Sequence, residues 1–478
     1  MTTSQTIGLW LGPVVFFALL FCPHPAWMAA EAWKTIALAA FMLIWWVTEA
    51  VPIPVTALLP LVVLPAAGVS TLKEASTPYA NPIVFLFMGG FMIALAMEKW
   101  ELHRRIALTI VRWTGTHADG ILFGFMLATA SLSMWISNTA TTIMMLPIAL
   151  SVIQLLRSGE AESREAGFRN FSLTMMLGIA WSANIGGLGT LIGTPPTVVF
   201  AGFMEKTYGR EVSFAQWLAV GLPFALIMLG VTWFFLVKIM YPNHLGKPTG
   251  ARRLIQSEIE KLGPLSTGER RTLFLFCGTA LAWIFRSPLN RLFPGLHFSD
   301  TGIAMLATVL LFVVPVNYRA GQFVLDWKAT EKLPWGIILL FGGGLSLAGA
   351  LEKTGIIDLI GGQFRDAGQL GFWVIMGLTV VSLFLTEIIG NLALVTVFLP
   401  VVGGIATGAG IDPMLAAIPV TVAASCAFTL PMSTPPNAIV FASGYVRVSE
   451  MAKAGIVLNV VAILLIGLLV RFVLPVLF

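Results

Sequence analysis

Charged side chains are scarce: Asp, Glu, Lys and Arg make up only 11% of the 478 residues, against 57% apolar ones, and mean hydropathy is +0.89. A soluble domain is about a quarter charged, so a water-exposed globular fold is excluded. Cysteine is rarer still. The three, Cys22, Cys277 and Cys426, fall in separate apolar runs without metal-ligand spacing, which argues against disulfides and zinc and reads them as small core residues. The ten-residue alternation of an outer-membrane barrel is also missing. The opening MTTSQTIGLW lacks the basic start of a signal peptide, so the first apolar run is expected to remain as a helix. The net charge of +5 comes from loops, where bases facing anionic lipid account for it, and nucleic acid binding is not implied.

What the chain has is apolar runs of roughly 20 residues, the length of a helical membrane crossing. The expected fold is therefore an all-α polytopic membrane protein. Eleven spans are read at about 7–22, 34–49, 52–69, 82–98, 172–204, 216–237, 272–286, 299–316, 334–351, 413–445 and 455–476. Segments 120–156 and 371–405 remain; each is too long for one straight crossing and is interrupted near its centre by small or polar residues.

Lys and Arg collect in cytoplasmic loops. Both flanks of 120–156 are basic, which makes it a re-entrant hairpin opening to the cytoplasm. Carried along the chain, this puts 19 Lys and Arg inside and eight outside, with Arg471 at the end of the last helix. The N-terminus is then cytoplasmic, the C-terminus external, and 371–405 a second hairpin opening outward. Sequence similarity within the chain agrees. LFMGGFMIALAMEKW (86–100) aligns with LFGGGLSLAGALEKT (340–354), Asn138…Pro147 with Asn391…Pro400, and GTPPT (193–197) with STPPN (433–437), in one order. The charge topology enters the two copies from opposite sides, and inverted repeats with interrupted helices mark secondary transporters. The expected organisation is scaffold helices 1–81, a first repeat 82–240, a cytoplasmic linker 241–271, scaffold helices 272–333 and a second repeat 334–478.

The polar residues of these interruptions carry the chemistry. Non-helical backbone at membrane depth survives only where protein or a water-filled cavity surrounds it. Ser137-Asn138-Thr139 is placed to cap the second half of its hairpin, leaving amides free for an anion. The prolines of GTPPT and STPPN remove donors and push the preceding residue out of the helix, so Gly193-Thr194 and Ser433-Thr434 are expected to be unwound. Unwound carbonyls coordinate Na⁺, while N-terminal helix ends hold an anion. No Lys or Arg occurs in 113–156, 170–205 or 366–446, the segments that hold all four motifs, so fixed cationic side chains cannot balance the anion there. Bound Na⁺ can.

Other polar residues admit duller readings. Glu49 and Glu387 read as proton carriers or as helix-end caps on equal terms. Glu98 and Glu352, each before a lysine, read as interfacial pairs. Trp45, Trp46 and Trp335 read as an interface belt, and FMGGF and FGGGL as sites of close helix packing rather than phosphate loops.

With TEAVPIPVTALLP (48–60), MWISNTATTIMMLP (134–147), IGGLGTLIGTPPT (185–197), LPWGIILLFGGGLSLA (333–348) and SCAFTLPMSTPPNAIVFASG (425–444), the chain resembles the divalent anion/sodium symporter family over nearly its whole length. These are the dicarboxylate, citrate and sulfate carriers. The resemblance implies a homodimer in the cell inner membrane, each protomer with a scaffold and a transport domain that moves as an elevator. It also implies a first sodium site at Ser133, Ser137, Asn138 and the backbone near Gly193, and a second at Thr386, the carbonyl of Ile389, Asn391 and the backbone of Ser433. Implied substrate contacts are Ser137, Asn138, Thr139, Thr194, Pro195, Gly390, Asn391, Thr434 and Pro435. In one place the chain departs from the family: a second Ser-Asn-Thr is replaced by Gly390-Asn391-Leu392, which weakens or alters the second half of the substrate site.

The function expected is sodium-coupled symport of small di- or tricarboxylates such as succinate or malate. A sodium-independent exchanger of the same fold, a carrier of sulfate or another oxyanion, and an anion channel stand as alternatives. An enzyme is disfavoured, because no metal cluster or nucleophile–base pair occurs in any apolar segment.

Overall fold

Peptide groups in hydrocarbon must find partners within the chain, and wherever this sequence is apolar it satisfies them by forming helix. The computed structural model describes residues 1–115, 117–159, 165–246, 251–365 and 371–478, side chains excepted at 157–159 and 251–254. Of the basic flanks and linker, Arg164, Lys247, Pro248 and Gly250 lie outside the described residues, as do the side chains of Arg157, Arg252 and Arg253.

The chain opens with α1 (Thr3–Phe21), α2 (Ala30–Thr48), α3 (Ile53–Thr56), α4 (Leu59–Ala66) and α5 (Leu72–Ser76). The span expected at 52–69 is thus two short helices, because Pro52, Pro54 and Pro60 withdraw amide donors around Ala57-Leu58. Next come α6 (Pro82–Lys99), α7 (Leu102–Trp113), α8 (Ala118–Ser133), α9 (Asn138–Gly159), α10 (Glu165–Gly187), α11 (Pro195–Tyr208) and α12 (Phe214–Phe234). Linker helix α13 (Ala251–Lys261) leads to α14 (Thr267–Ile284), which bends by 77° into α15 (Arg286–Leu292), and then to α16 (Asp300–Val313). A two-stranded hairpin, β1 (Pro315–Asn317) with β2 (Gln322–Phe323), ends the expected span 299–316 early; the polar turn Asn317–Gly321 reverses the chain there. The remainder is α17 (Trp335–Lys353), α18 (Ile356–Gly362), α19 (Gly371–Leu385), α20 (Asn391–Gly408), α21 (Pro413–Ala424), α22 (Pro435–Ala442), α23 (Val448–Leu468) and α24 (Leu474–Leu477).

Eight helices among the described residues are long and apolar enough to cross a membrane, or nine if the bent α14–α15 pair is one span. Of the eleven expected spans, those at 52–69, 172–204 and 413–445 are interrupted and α16 is short, whereas the eight include α9 and α20, the second halves of the two expected hairpins. Helices α8 and α19, of 16 and 15 residues, are shorter than the roughly 20 that a crossing needs.

Helix α10 is the centre of the bundle. From Phe171 to Gly187 every residue is buried, and a helix with no solvent-facing polar side belongs inside. It packs on α8 and α9, as α21 packs on α19 and α20. The glycine-rich runs do serve close packing: a Cβ on Gly89 would fall 2.8 Å from Ala304 Cβ, one on Gly343 2.2 Å from the Ala57 carbonyl and one on Gly344 2.2 Å from Thr396 Cγ2.

Several side chains sit otherwise than expected. Adjacent residues on a helix point apart, so Lys99 turns from Glu98 to Asp326 at 2.7 Å, holding that carboxyl below its ordinary range, while Glu98 meets Lys332 at 3.5 Å. Lys353 meets Glu74 rather than Glu352. Trp46 is buried, with its Nε1 donating to the Ile53 carbonyl, and is no belt residue; Trp335 is exposed. Cys426 is a core residue, but Cys22 and Cys277 lie on the outside of their helices.

Candidate substrate and ion cavity

Each expected interruption is present. Residues 134–137 separate α8 from α9, and 386–390 separate α19 from α20; 188–194 part α10 from α11, and 425–434 part α21 from α22. The backbone at the last two breaks is extended, with φ and ψ of −141° and 143° at Thr194 and −143° and 150° at Thr434. In each case a Pro-Pro pair starts the next half-helix.

At the first tip the Ser137 hydroxyl accepts from the Ala140 amide at 3.3 Å, which makes it the cap of α9. Asn138 opens that helix. Ser133 Oγ lies 2.7 Å from Asn138 Oδ1 and 2.7 Å from the Ala183 carbonyl of α10. A serine hydroxyl has one hydrogen, so it cannot satisfy both acceptors at once. Three oxygens thus share one proton, a donor-poor cluster of the kind a hard cation completes. The glycines keep it open: a Cβ on Gly187 would stand 2.6 Å from Asn138 Oδ1, and one on Gly193 2.4 Å from the Gly187 carbonyl and 2.9 Å from that of Met134.

The second tip repeats the arrangement. Thr386 Oγ1 lies 2.8 Å from Asn391 Oδ1 and 2.6 Å from the Ala424 carbonyl of α21. Ile389 is part of the turn, and Ser433 in the facing break donates to the Leu430 carbonyl at 2.7 Å and accepts from Asn437 Nδ2 at 3.1 Å. Hydroxyl, amide and carbonyl oxygens without a carboxylate suit a monovalent cation.

All four interruptions open on one cavity of about 650 Å³. The first tip lines it with Ser137, Asn138 and Thr139, the second with Gly390, Asn391 and Leu392. The first break contributes Gly193, Thr194 and Pro195, the second Ser433, Thr434 and Pro435. Every expected substrate contact is therefore on its wall, whereas Ser133 and Thr386 lie fully buried behind it. Four half-helices, α9, α11, α20 and α22, begin at this cavity, so four positive dipole ends point into it. The prolines of α11 and α22 remove amide donors at two of these ends, leaving hydroxyls to form hydrogen bonds there; Thr434 Oγ1 is one. Among the described lining residues none is Lys, Arg or His. An anion here would be held by dipoles and hydroxyls together with any cation at the two oxygen clusters.

Two further polar residues belong to this site. Asn184 of α10 lines the cavity, and its Nδ2 donates to Thr434 Oγ1 at 3.1 Å, tying one broken helix to the other. An amide one residue ahead of the IGG run was the available signal. Glu387, fully enclosed just before the second tip, takes hydrogen bonds from the amides of Phe428 and Thr429 at 3.0 and 3.1 Å and from Asn459 Nδ2 at 2.9 Å. It thereby caps unwound backbone of the second break. The first break is held differently: Thr190 Oγ1 donates to the Met134 carbonyl.

Broken helices and hairpin tips around a shared cavity define a secondary transporter of the ion-coupled kind. The whole chain, residues 3–477, matches the family model described as the sodium:sulfate symporter transmembrane region, and the chain belongs to this family. It is 38% identical to the sodium-dependent dicarboxylate transporter SdcS of Staphylococcus aureus strain bovine RF122 / ET3-1, over 99% of this chain and 92% of that protein. In fold it is similar to the YdaH transporter of Alcanivorax borkumensis, with a TM-score of 0.59 at 15% identity, covering 94% of this chain and 99% of that one. It is also similar to MtrF of Neisseria gonorrhoeae, with a TM-score of 0.57 at 14% identity, covering 96% and 97%.

Proposed function

We propose that the protein is a sodium-coupled symporter of small dicarboxylates such as succinate or malate, working by alternating access without covalent chemistry. The observation that carries this is the convergence of both Asn-bearing tips and both Pro-Pro breaks on one cavity whose described lining has no Lys, Arg or His. Sodium occupies the oxygen clusters at Ser133, Ser137, Asn138 and Gly193 and at Thr386, Ile389, Asn391 and Ser433. The anion lies between them, against Thr139, Thr194, Pro195, Gly390, Thr434 and Pro435. The likeness to SdcS, named for sodium and dicarboxylate, supports this cargo.

The rest of the proposal follows from charge and repetition. The chain sits in the inner membrane as a homodimer, N-terminus inside and C-terminus outside. Its halves are inverted repeats, and the tips and broken helices move together against α1–α5 and α14–α16 as an elevator. The test is uptake into proteoliposomes of succinate, malate, citrate, tartrate and sulfate, with and without a sodium gradient. Saturable, gradient-driven uptake of a dicarboxylate is expected. Counterflow that ignores sodium would identify an exchanger, and sulfate as the preferred cargo would overturn the dicarboxylate assignment.

A further inference from the structure

Among the described residues that line the cavity none is cationic and one, Glu49, is anionic, and we infer that this carboxylate is a fixed charge that makes cations enter before the anion. Glu49 follows the last residue of α2 in the left-handed conformation, with φ 48° and ψ 38°, a region that residues other than glycine seldom adopt. Its own amide and that of Ala50 both donate to the Trp45 carbonyl, which fixes the turn. Held in this way, the carboxylate lines the cavity, and among the described residues it has no ion-pair partner. An unpaired charge on an unusual backbone, on the wall of an anion-binding space, is poorly explained by stability and well explained by function.

Glu49 is exposed, so its charge acts through the water of the cavity and is not neutralised by packing. Trp46, Ile53, Pro54, Ile337 and Leu340 line the same cavity and are apolar. This wall is continuous with the second tip, since Trp46, Ile53, Leu340 and Leu392 pack in one cluster. Glu49 and both tips line this one cavity, so the charge and the ion sites share the same space.

The inference rests on the proposed binding of sodium and a dianion at the tips, and the signs then follow. Glu49 repels a dianion that arrives alone and attracts each cation that arrives alone. Once cations and dianion are bound together their charges offset, and Glu49 barely affects the full complex. Removing its charge should therefore tighten anion binding without sodium and weaken sodium binding without anion, leaving the complete complex nearly unchanged. Movement of the two single-ligand affinities in opposite directions is a signature that loss of structure does not produce.

The test uses purified full-length protein at constant ionic strength, with choline replacing sodium. Succinate binding is measured in choline and in saturating sodium, and sodium binding from the thermal shift it causes without anion. Glu49→Gln removes the charge; Glu49→Asn also removes it, with a residue that tolerates the left-handed turn; Glu49→Asp keeps it. For both neutral variants the expected result is sodium-free succinate binding tighter by about tenfold and half-saturating sodium higher by several-fold, with Glu49→Asp like wild type. Affinities that stay put, or that weaken together in both neutral variants while Glu49→Asp is normal, would overturn the inference. The sodium-only titration tests Glu49 even if succinate is not the cargo. If instead the wild type shows no sodium-promoted binding of any anion in the panel, the symport reading itself fails.

Discussion

The two halves of the cavity are built on one plan and fastened by different means. At each tip a hydroxyl, Ser133 or Thr386, is shared between the following asparagine and a carbonyl of the neighbouring helix, at distances that agree to about 0.1 Å. The parts that hold these clusters do not agree. In the first half a threonine of the break, Thr190, donates to hairpin backbone; in the second a hairpin carboxylate, Glu387, accepts from break backbone and from Asn459. The caps differ as well, Ser137 supplying a hydroxyl where Gly390 has none. What the halves keep in common is the oxygen cluster itself. What was free to diverge is the structural support and the surface offered to the cargo.

The largest expected effect tests the common part. Asn138→Ala and Asn391→Ala each remove the side-chain oxygen from a cluster, and each should abolish sodium-dependent uptake in proteoliposomes while the protein still elutes folded on size exclusion. Normal transport by both variants would reject the site assignment. Uptake lost in only one would show that the halves have different duties despite their matched geometry.

Next in size are the fastenings. Glu387→Leu leaves the amides of Phe428 and Thr429 and the amide group of Asn459 buried without their acceptor, which should cost about 3–5 kcal/mol. Thr190→Val removes one neutral hydrogen bond, at about 1 kcal/mol. Thermal melting of the purified variants, side by side, measures the contrast. Equal losses would mean that the second break does not depend on its carboxylate.

The asymmetry of these fastenings also explains how far the sequence could be read. The breaks were legible because their causes are local: proline removes a donor at its own position, and a Ser or Asn caps the helix that starts beside it. The glycines of FMGGF and FGGGL were legible for the same reason, as points of close approach. Glu387 was only half legible. Its Thr-Glu context allowed a cap, but its partners lie 41, 42 and 72 residues away, a juxtaposition made by packing that no spacing records. Asn184, bonded to a residue 250 positions on, was missed for the same reason. Trp46 was misread because tryptophan at a helix end usually marks the membrane interface, whereas here α3 folds back over it. The span at 52–69 failed because hydropathy averages over the prolines that break it.

The smallest effect concerns cargo. Leu392 stands at the second tip where Thr139 stands at the first, and it does two things: it lines the cavity and it packs with Trp46, Ile53 and Leu340. Leu392→Thr would add a hydroxyl in the first turn of α20, where a β-branched residue is tolerated, at the loss of part of that apolar contact. A carboxylate at this end of the cavity would gain one hydrogen bond, about 0.5–1.5 kcal/mol, so relative kcat/KM among succinate, malate, citrate and tartrate should change by less than about tenfold. A shift towards anions with a second carboxylate at full reach would mean that the altered tip sets the preference of this protein. An unchanged ranking would mean that Leu392 only steadies the tip against its apolar neighbours, and that cargo choice is made elsewhere on the wall, the first half with Thr139 and Thr194 being the next place to look.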